Sequence, residues 1–202
     1  MYNPPAFREA RPDILLALMR APRLATLVSN GAAGVPEVSH LPLLTDGTRV
    51  LGHLARANGH WQALREAGRA LAIFHGAEGY VSPSSYPSKA EHHRVVPTWN
   101  YEAVHAEGPV ELVEDASVLR RLVEELTQHH EAGRAEPWRV ADAPPEFLAG
   151  QLRGIVGVVL TVERLEGKRK LSQNRAEADR LGAESDAAAA LAAAMRAVRE
   201  GR

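Results

Sequence analysis

Cysteine is absent from all 202 residues, which removes disulfides, thiolate metal sites and thiol nucleophiles together. Any chemistry rests on oxygen, nitrogen or a bound cofactor. Aromatic residues make up only 5% of the chain, so the places where they gather carry information. Lys and Arg number 24 against 25 Asp and Glu, leaving a net charge of -1. That balance sets up no overall field for a polyanion such as DNA, although a local basic stripe or a dimer could still build one. No run approaches the ~18 continuous apolar residues of a membrane span. The opening Met1-Tyr2-Asn3-Pro4-Pro5 lacks the basic and apolar regions of a secretory signal, so the expectation is a soluble cytoplasmic protein with no membrane partner.

Several familiar motifs are missing as well. The glycines of Gly31-Ala32-Ala33-Gly34 sit in an expected hairpin turn and not at a strand-to-helix junction, so no dinucleotide fingerprint is present. His92-His93 and His129-His130-Glu131 lack the spacing that turns two imidazoles to one ion, and no functional metal is expected. Ser84 and Ser85 lie outside any Gly-x-Ser-x-Gly elbow, which argues against hydrolase chemistry.

What is present reads as an antiparallel meander with interposed helices. A helix headed by Asp13 and ended by Pro22 carries Ile14, Leu15, Leu18 and Met19. Strands are expected over 24–29, 35–44 and 49–54, a short helix over 58–67 capped by Asn58 and stopped at Gly68, and a strand over 70–74. Residues 81–95, with Pro83 and Pro87, read as an ordered loop or broken strand, and two strands are expected to flank Gly108-Pro109. Val118, Leu119, Leu122, Val123 and Leu126 recur at helical spacing after Asp115. Pro144-Pro145 opens a further helix, 155–162 is the most β-branched strand, and the alanine-rich stretch from 187 reads as a weakly anchored helix. Six or seven strands in this arrangement predict a mainly β barrel with peripheral helices.

Three segments concentrate polar and aromatic chemistry. Ser82 to Lys89 and Val96-Pro97-Thr98-Trp99-Asn100-Tyr101, with Val104-His105, combine flat rings with hydroxyl, amide and amine groups, as a pocket for a planar ligand would. The same residues also suit a Pro-bounded loop anchored by its aromatics. His53-Leu54-Ala55-Arg56-Ala57-Asn58 ends a strand at a helix entrance, where free N–H groups and Arg56 offer a phosphate seat or, more plainly, a solvated arginine and an N-cap. Glu166 to Arg175 brings four cations with Ser172, Gln173 and Asn174, either to hold a phosphate or ring edge or as a solvated basic loop.

Taken in order, His-Leu-Ala-Arg-Ala-Asn at 53–58, Val-Pro-Thr-Trp-Asn-Tyr at 96–101, Lys-Leu-Ser-Gln-Asn at 170–174 and the opening Met-Tyr-x-Pro-x-x-Phe resemble the PaiB family of FMN-binding negative transcriptional regulators. The resemblance spans residue 1 to about 182 and implies an FMN-binding split-barrel domain over 1–182, a six- or seven-stranded antiparallel barrel, followed by the alanine-rich helix over 183–202. It implies FMN as cofactor, bound at a homodimer interface. It further implies His53, Arg56 and Asn58 near the cofactor phosphate, Tyr86, Lys89, Trp99 and Asn100 in the pocket wall, and Lys170, Gln173 and Asn174 closing it, with either subunit as their source. Two positions depart from the family pattern: Ser85 stands where Trp is usual, and Arg169 where an apolar or aromatic residue is usual. Loss of a stacking Trp would weaken flavin affinity. DNA as a partner has little support, because no helix-turn-helix with a basic second helix is visible. The alternatives are a flavin-dependent oxidoreductase on the same barrel and a haem-binding barrel with His53 or His105 as axial ligand.

Overall fold

The computed structural model describes residues 1–31 and 34–202; Ala32 and Ala33 of the expected hairpin turn lie outside the described residues. Among these residues nine strands form a mostly antiparallel sheet: β1 (Arg8–Glu9), β2 (Leu24–Asn30), β3 (Pro36–Pro42), β4 (Leu44–Thr45), β5 (Arg49–Ala55), β6 (Arg69–Val81), β7 (Thr98–Val113), β8 (Ile155–Thr161) and β9 (Arg164–Lys170). The strand order is β3-β2-β6-β7-β8-β5-β4, with β9 paired to β7 and β1. Seven α-helices accompany it among the described residues: α1 (Pro12–Arg20), α2 (His60–Ala67), α3 (Ser88–His92), α4 (Ala116–Glu131), α5 (Pro145–Arg153), α6 (Glu177–Asp186) and α7 (Ala189–Arg199). The chain divides into two compact units, one of residues 1–18, 75–104 and 166–202, the other of residues 19–74 and 105–165.

In the second unit the expected meander forms only in part among the described residues, since β3 pairs β2 while β5 pairs β4 and β8. β2 and β3 pair from Leu24↔Pro42 to Asn30↔Pro36, and β5 pairs β8 from Arg49↔Thr161 to Ala55↔Ile155. α4 is capped as expected, Asp115 Oδ1 accepting from the N–H groups of Ser117 and Val118 at 2.9 and 3.0 Å. Its Leu119 packs with Val140, Leu148 and Leu152, the last two on α5. Gly68 ends α2 in the left-handed region at φ 63°, where only glycine is unstrained.

Four expectations need correction. Gly108-Pro109 does not separate two strands, because β7 runs through it for 16 residues. The glycine serves a close backbone approach instead: a Cβ there would stand 1.8 Å from the Thr161 carbonyl oxygen. Residues 166–170 are not a loop but belong to β9, with Arg8↔Lys168 and Glu9↔Gly167 paired to β1. The Ser-Pro segment forms a 3-10 turn at Pro83–Ser85 and then α3, and is neither loop nor broken strand. The alanine-rich tail is firmly seated, since Leu191 and Met195 of α7 are buried in the first unit's core with Ala77, Val81, Tyr86, Leu171 and Ala183.

Candidate cofactor site

In the second unit, His53 sits on β5 opposite Gly157 of β8. Its Nδ1 is buried without a partner, and burial lowers the imidazole pKa, keeping it neutral near pH 7. Arg56 follows at the strand end with its guanidinium committed. Nη1 donates to Glu114 at 2.7 Å, Nε to the Arg153 carbonyl at 3.0 Å and Nη2 to the Ile155 carbonyl at 3.2 Å. Arg65 reaches the other Glu114 oxygen at 2.6 Å, and hydrogen bonds from Arg56 and then Arg65 hold that carboxyl below its ordinary range. Arg56, Glu114, Leu119, Leu152 and Arg153 line a groove of about 440 Å³, large enough for part of a cofactor.

Asn58 closes the turn into α2. Its Oδ1 accepts from the His60 N–H at 3.0 Å and its Nδ2 donates to Ser39 Oγ at 3.0 Å. His60, unremarked by the sequence reading, is buried between Ser39 Oγ at 2.8 Å and Ser29 Oγ at 3.1 Å, and burial lowers its pKa. A histidine heading an amphipathic helix gives no sequence sign that two serines from neighbouring strands will meet both ring nitrogens.

In the first unit, alternation along β7 sends Trp99 outward and Asn100 inward. Trp99 is 50% exposed and meets Tyr80, 58% exposed, at a ring-centroid distance of 6.4 Å. Asn100 is 1% exposed; its Nδ2 donates to Ser172 Oγ at 2.9 Å and lies 3.7 Å from Met195 Sδ, while its Oδ1 has no partner. Lys170 Nζ donates to Thr98 Oγ1 and to the Trp99 carbonyl, the latter at 2.6 Å. Its pKa is lowered, first by burial and then by the neighbouring charges of Lys168 and Arg175. Tyr86 is 2% exposed with its hydroxyl unpartnered, and the Arg175 guanidinium lies 5.0 Å from its ring centre.

The remaining expected residues are occupied locally. Lys89 donates to Ser84 Oγ at 2.9 Å. Gln173 clasps its own turn, accepting from the Leu171 N–H at 2.6 Å and donating to the Arg169 carbonyl, and Asn174 is exposed. Ser85, at the position where Trp is usual, donates to Asp186 at 2.7 Å and so ties its turn to α6. Structure thus joins Trp99 and Asn100 to Lys170 and Ser172 within one unit, while His53, Arg56 and Asn58 belong to the other.

The basic run is not a solvated face. Lys168 is 5% exposed, donates to the Tyr2 carbonyl at 2.9 Å and lies 5.4 and 5.1 Å from the Tyr2 and Tyr101 ring centres. Arg169, 6% exposed, pairs with Glu102 at 2.7 Å and Glu9 at 3.5 Å. Glu102 also accepts from the Ala77 N–H at 3.1 Å, and a Cβ at residue 76 would come within 2.6 Å of the Glu102 Cβ, so glycine there admits the carboxylate. The departure at Arg169 is therefore matched by two buried acids.

Residues 1–164 match the family model described as "Putative FMN-binding domain". The chain is 33% identical over 186 residues to the Bacillus subtilis protease synthase and sporulation protein PAI 2, covering 89% of this chain and 85% of that protein. The chain belongs to the PaiB-type FMN-binding family. FMN is the cofactor that membership assigns. Among solved structures, the FAD and haem binding protein from Mycobacterium smegmatis superposes with a TM-score of 0.61 at 17% identity, over 81% of this chain and 73% of that one. A Clostridium acetobutylicum protein of the pyridoxinephosphate oxidase family gives 0.51 at 12% identity, over 81% and 93%. The fold is accordingly the split barrel of flavin-binding proteins, as the sequence motifs implied.

Proposed function

We propose that this family member is a cytoplasmic homodimer that binds FMN through the residues named above and acts as a PaiB-type negative regulator without reading DNA sequence itself. The observation that carries the cofactor reading is the set of unmet hydrogen bonds. Among the described residues, buried side-chain polar atoms without a partner are Asn3 Oδ1, His53 Nδ1, Tyr86 Oη and Asn100 Oδ1. Three of those four fall on residues that the family motifs assign to the cofactor. A buried polar atom left unpaired costs about 1–3 kcal/mol, and such atoms call for an explanation that a bound ligand supplies. FMN offers ring carbonyls, ring nitrogens, hydroxyls and phosphate oxygens to meet them; when bound it supplies the redox chemistry, while the protein supplies orientation and polarity.

Within the first unit, the half-exposed Trp99 offers a ring face and Lys170 a cation beside it, and both fit the pocket wall and its closure. Within the second, Arg56 retains N–H groups beyond its bonds to Glu114 and two carbonyls, and these suit a phosphate oxygen. The homodimer is supported by Tyr80, Val96 and Trp99, exposed apolar side chains of the first unit, which a second copy would cover. Indirect regulation is supported by the fate of the basic run, since Lys168 and Arg169 are spent inside the protein.

Titration of FMN and of riboflavin into the purified protein, followed by flavin fluorescence, tests the cofactor. The expected result is FMN binding with characteristic flavin absorption, and a Soret band in its place would establish haem. Light scattering at micromolar concentration is expected to give a dimer, with an interface of about 2,000 Å² or more. Gel shifts against the upstream region of its own operon are expected to show weak binding, indifferent to sequence and steeply salt-dependent. Tight, selective binding at physiological salt would make it a direct repressor.

A further inference from the structure

The chemistry buried under α7 points to a role for that helix. Tyr86 shares a core cluster with Leu191 and Met195, and the Asn100 amide nitrogen lies 3.7 Å from Met195 Sδ. The Tyr86 hydroxyl and the Asn100 amide oxygen are both buried without a partner in this arrangement. A helix that completed a permanent core would leave apolar groups or satisfied ones beneath it. α7 fits a prepared seat, because a Cβ at residue 79 would lie 2.9 Å from Leu191 Cδ2, and glycine there lets Leu191 pack without shifting. Its hold is concentrated in a few groups. Leu191 and Met195 are its buried side chains, most of the rest are alanines, and the polar fastenings are at its C-terminal half. Arg196 and Arg199 both reach Glu184 of α6, at 2.8 and 3.1 Å, and the Gly201 and Arg202 carbonyls accept from Arg11 and Arg169 at 2.7 and 2.9 Å.

We propose that α7 is an autoinhibitory strap: docked as it stands, it covers the Tyr86 hydroxyl and the Asn100 amide oxygen, and the cofactor must lift it to reach them. The inference rests on the reading that these two residues belong to the cofactor pocket. Docking of α7 satisfies apolar contacts but strands two polar atoms; lifting it frees those atoms for a ligand and gives up the contacts of Leu191 and Met195. An equilibrium of this kind is biased by any ligand that binds the open form, and the coupling is reciprocal. FMN should loosen α7, and a loosened α7 should tighten FMN by the same factor.

Two variants of the full chain test this. Glu184→Gln weakens the hold on Arg196 and Arg199, and Met195→Ala removes one of the two buried apolar anchors. Hydrogen exchange of α7 amides reports opening, exchange of β7 amides reports that the fold is intact, and FMN fluorescence titration reports affinity. The expected result is faster α7 exchange in both variants with β7 protection kept, an FMN affinity raised about fivefold or more, and faster α7 exchange in the wild type when FMN is added. Equal FMN affinity in wild type and both variants would overturn the strap while leaving the cofactor reading standing. No FMN binding by any form would overturn the cofactor reading, and the strap with it.

Discussion

Removing one partner of the Arg169–Glu102 pair should destabilise the protein far more than removing both. Arg169 is 6% exposed and Glu102 5%, so the two charges face each other in place of water. Breaking a buried ion pair costs about 3–5 kcal/mol, because the survivor is left charged and dry. In Glu102→Leu, Arg169 still has Glu9 at 3.5 Å and the Arg202 carbonyl at 2.9 Å, which argues for the lower end. Against that, the Ala77 N–H loses its acceptor. The balance is a loss of about 3 kcal/mol, which for a chain of this size lowers the melting temperature by roughly 6–12 °C. Substituting both, as Glu102→Leu with Arg169→Leu, should recover most of the loss, since well-packed apolar replacements of a buried pair are often neutral or better. Urea and thermal denaturation of wild type, both single variants and the double variant form the cycle. A loss below about 1 kcal/mol in Glu102→Leu, or a double variant as unstable as the sum of the singles, would refute the claim that Arg169 is held by charge pairing.

Glu9 has its pKa lowered to about 2, first through the hydrogen bond from Arg11. A carboxyl whose folded pKa is depressed contributes stability above its unfolded pKa near 4.5 and loses it as pH falls towards 2, so Arg11→Ala should flatten the pH dependence of the denaturation midpoint in that window. Trp99→Phe should change stability by less than about 0.5 kcal/mol, because Trp99 is half-exposed. The same variant should weaken FMN and reduce the quenching of tryptophan fluorescence by flavin; unchanged values for both would return Trp99 to a purely surface role. Arg56→Ala should weaken FMN about tenfold or more and riboflavin less, from the loss of a charge-assisted contact of about 1.5–3 kcal/mol, and equal FMN affinities would remove Arg56 from the phosphate site.

By itself the sequence determined the elements whose signals are local. The leucine repeat after Asp115, the β-branched run of β8 and the glycine that stops α2 depend on neighbours a few residues away, and they were legible. The family was legible for the same reason, as fixed residue types at fixed spacing. Only the tertiary structure decided where charge could be buried. A run such as Glu166-Gly167-Lys168-Arg169-Lys170 reads as surface because burying a cation is costly without a partner, and its partners Glu9, Glu102, Tyr2, Tyr101 and Thr98 lie far away in sequence. The same holds for α7, whose alanines promise little until Gly79 and Tyr86 supply a seat. Gly108-Pro109 carries a turn signal that is overridden by the approach of the Thr161 backbone. Which polar atoms remain unpaired in the core follows from packing between segments distant in the chain.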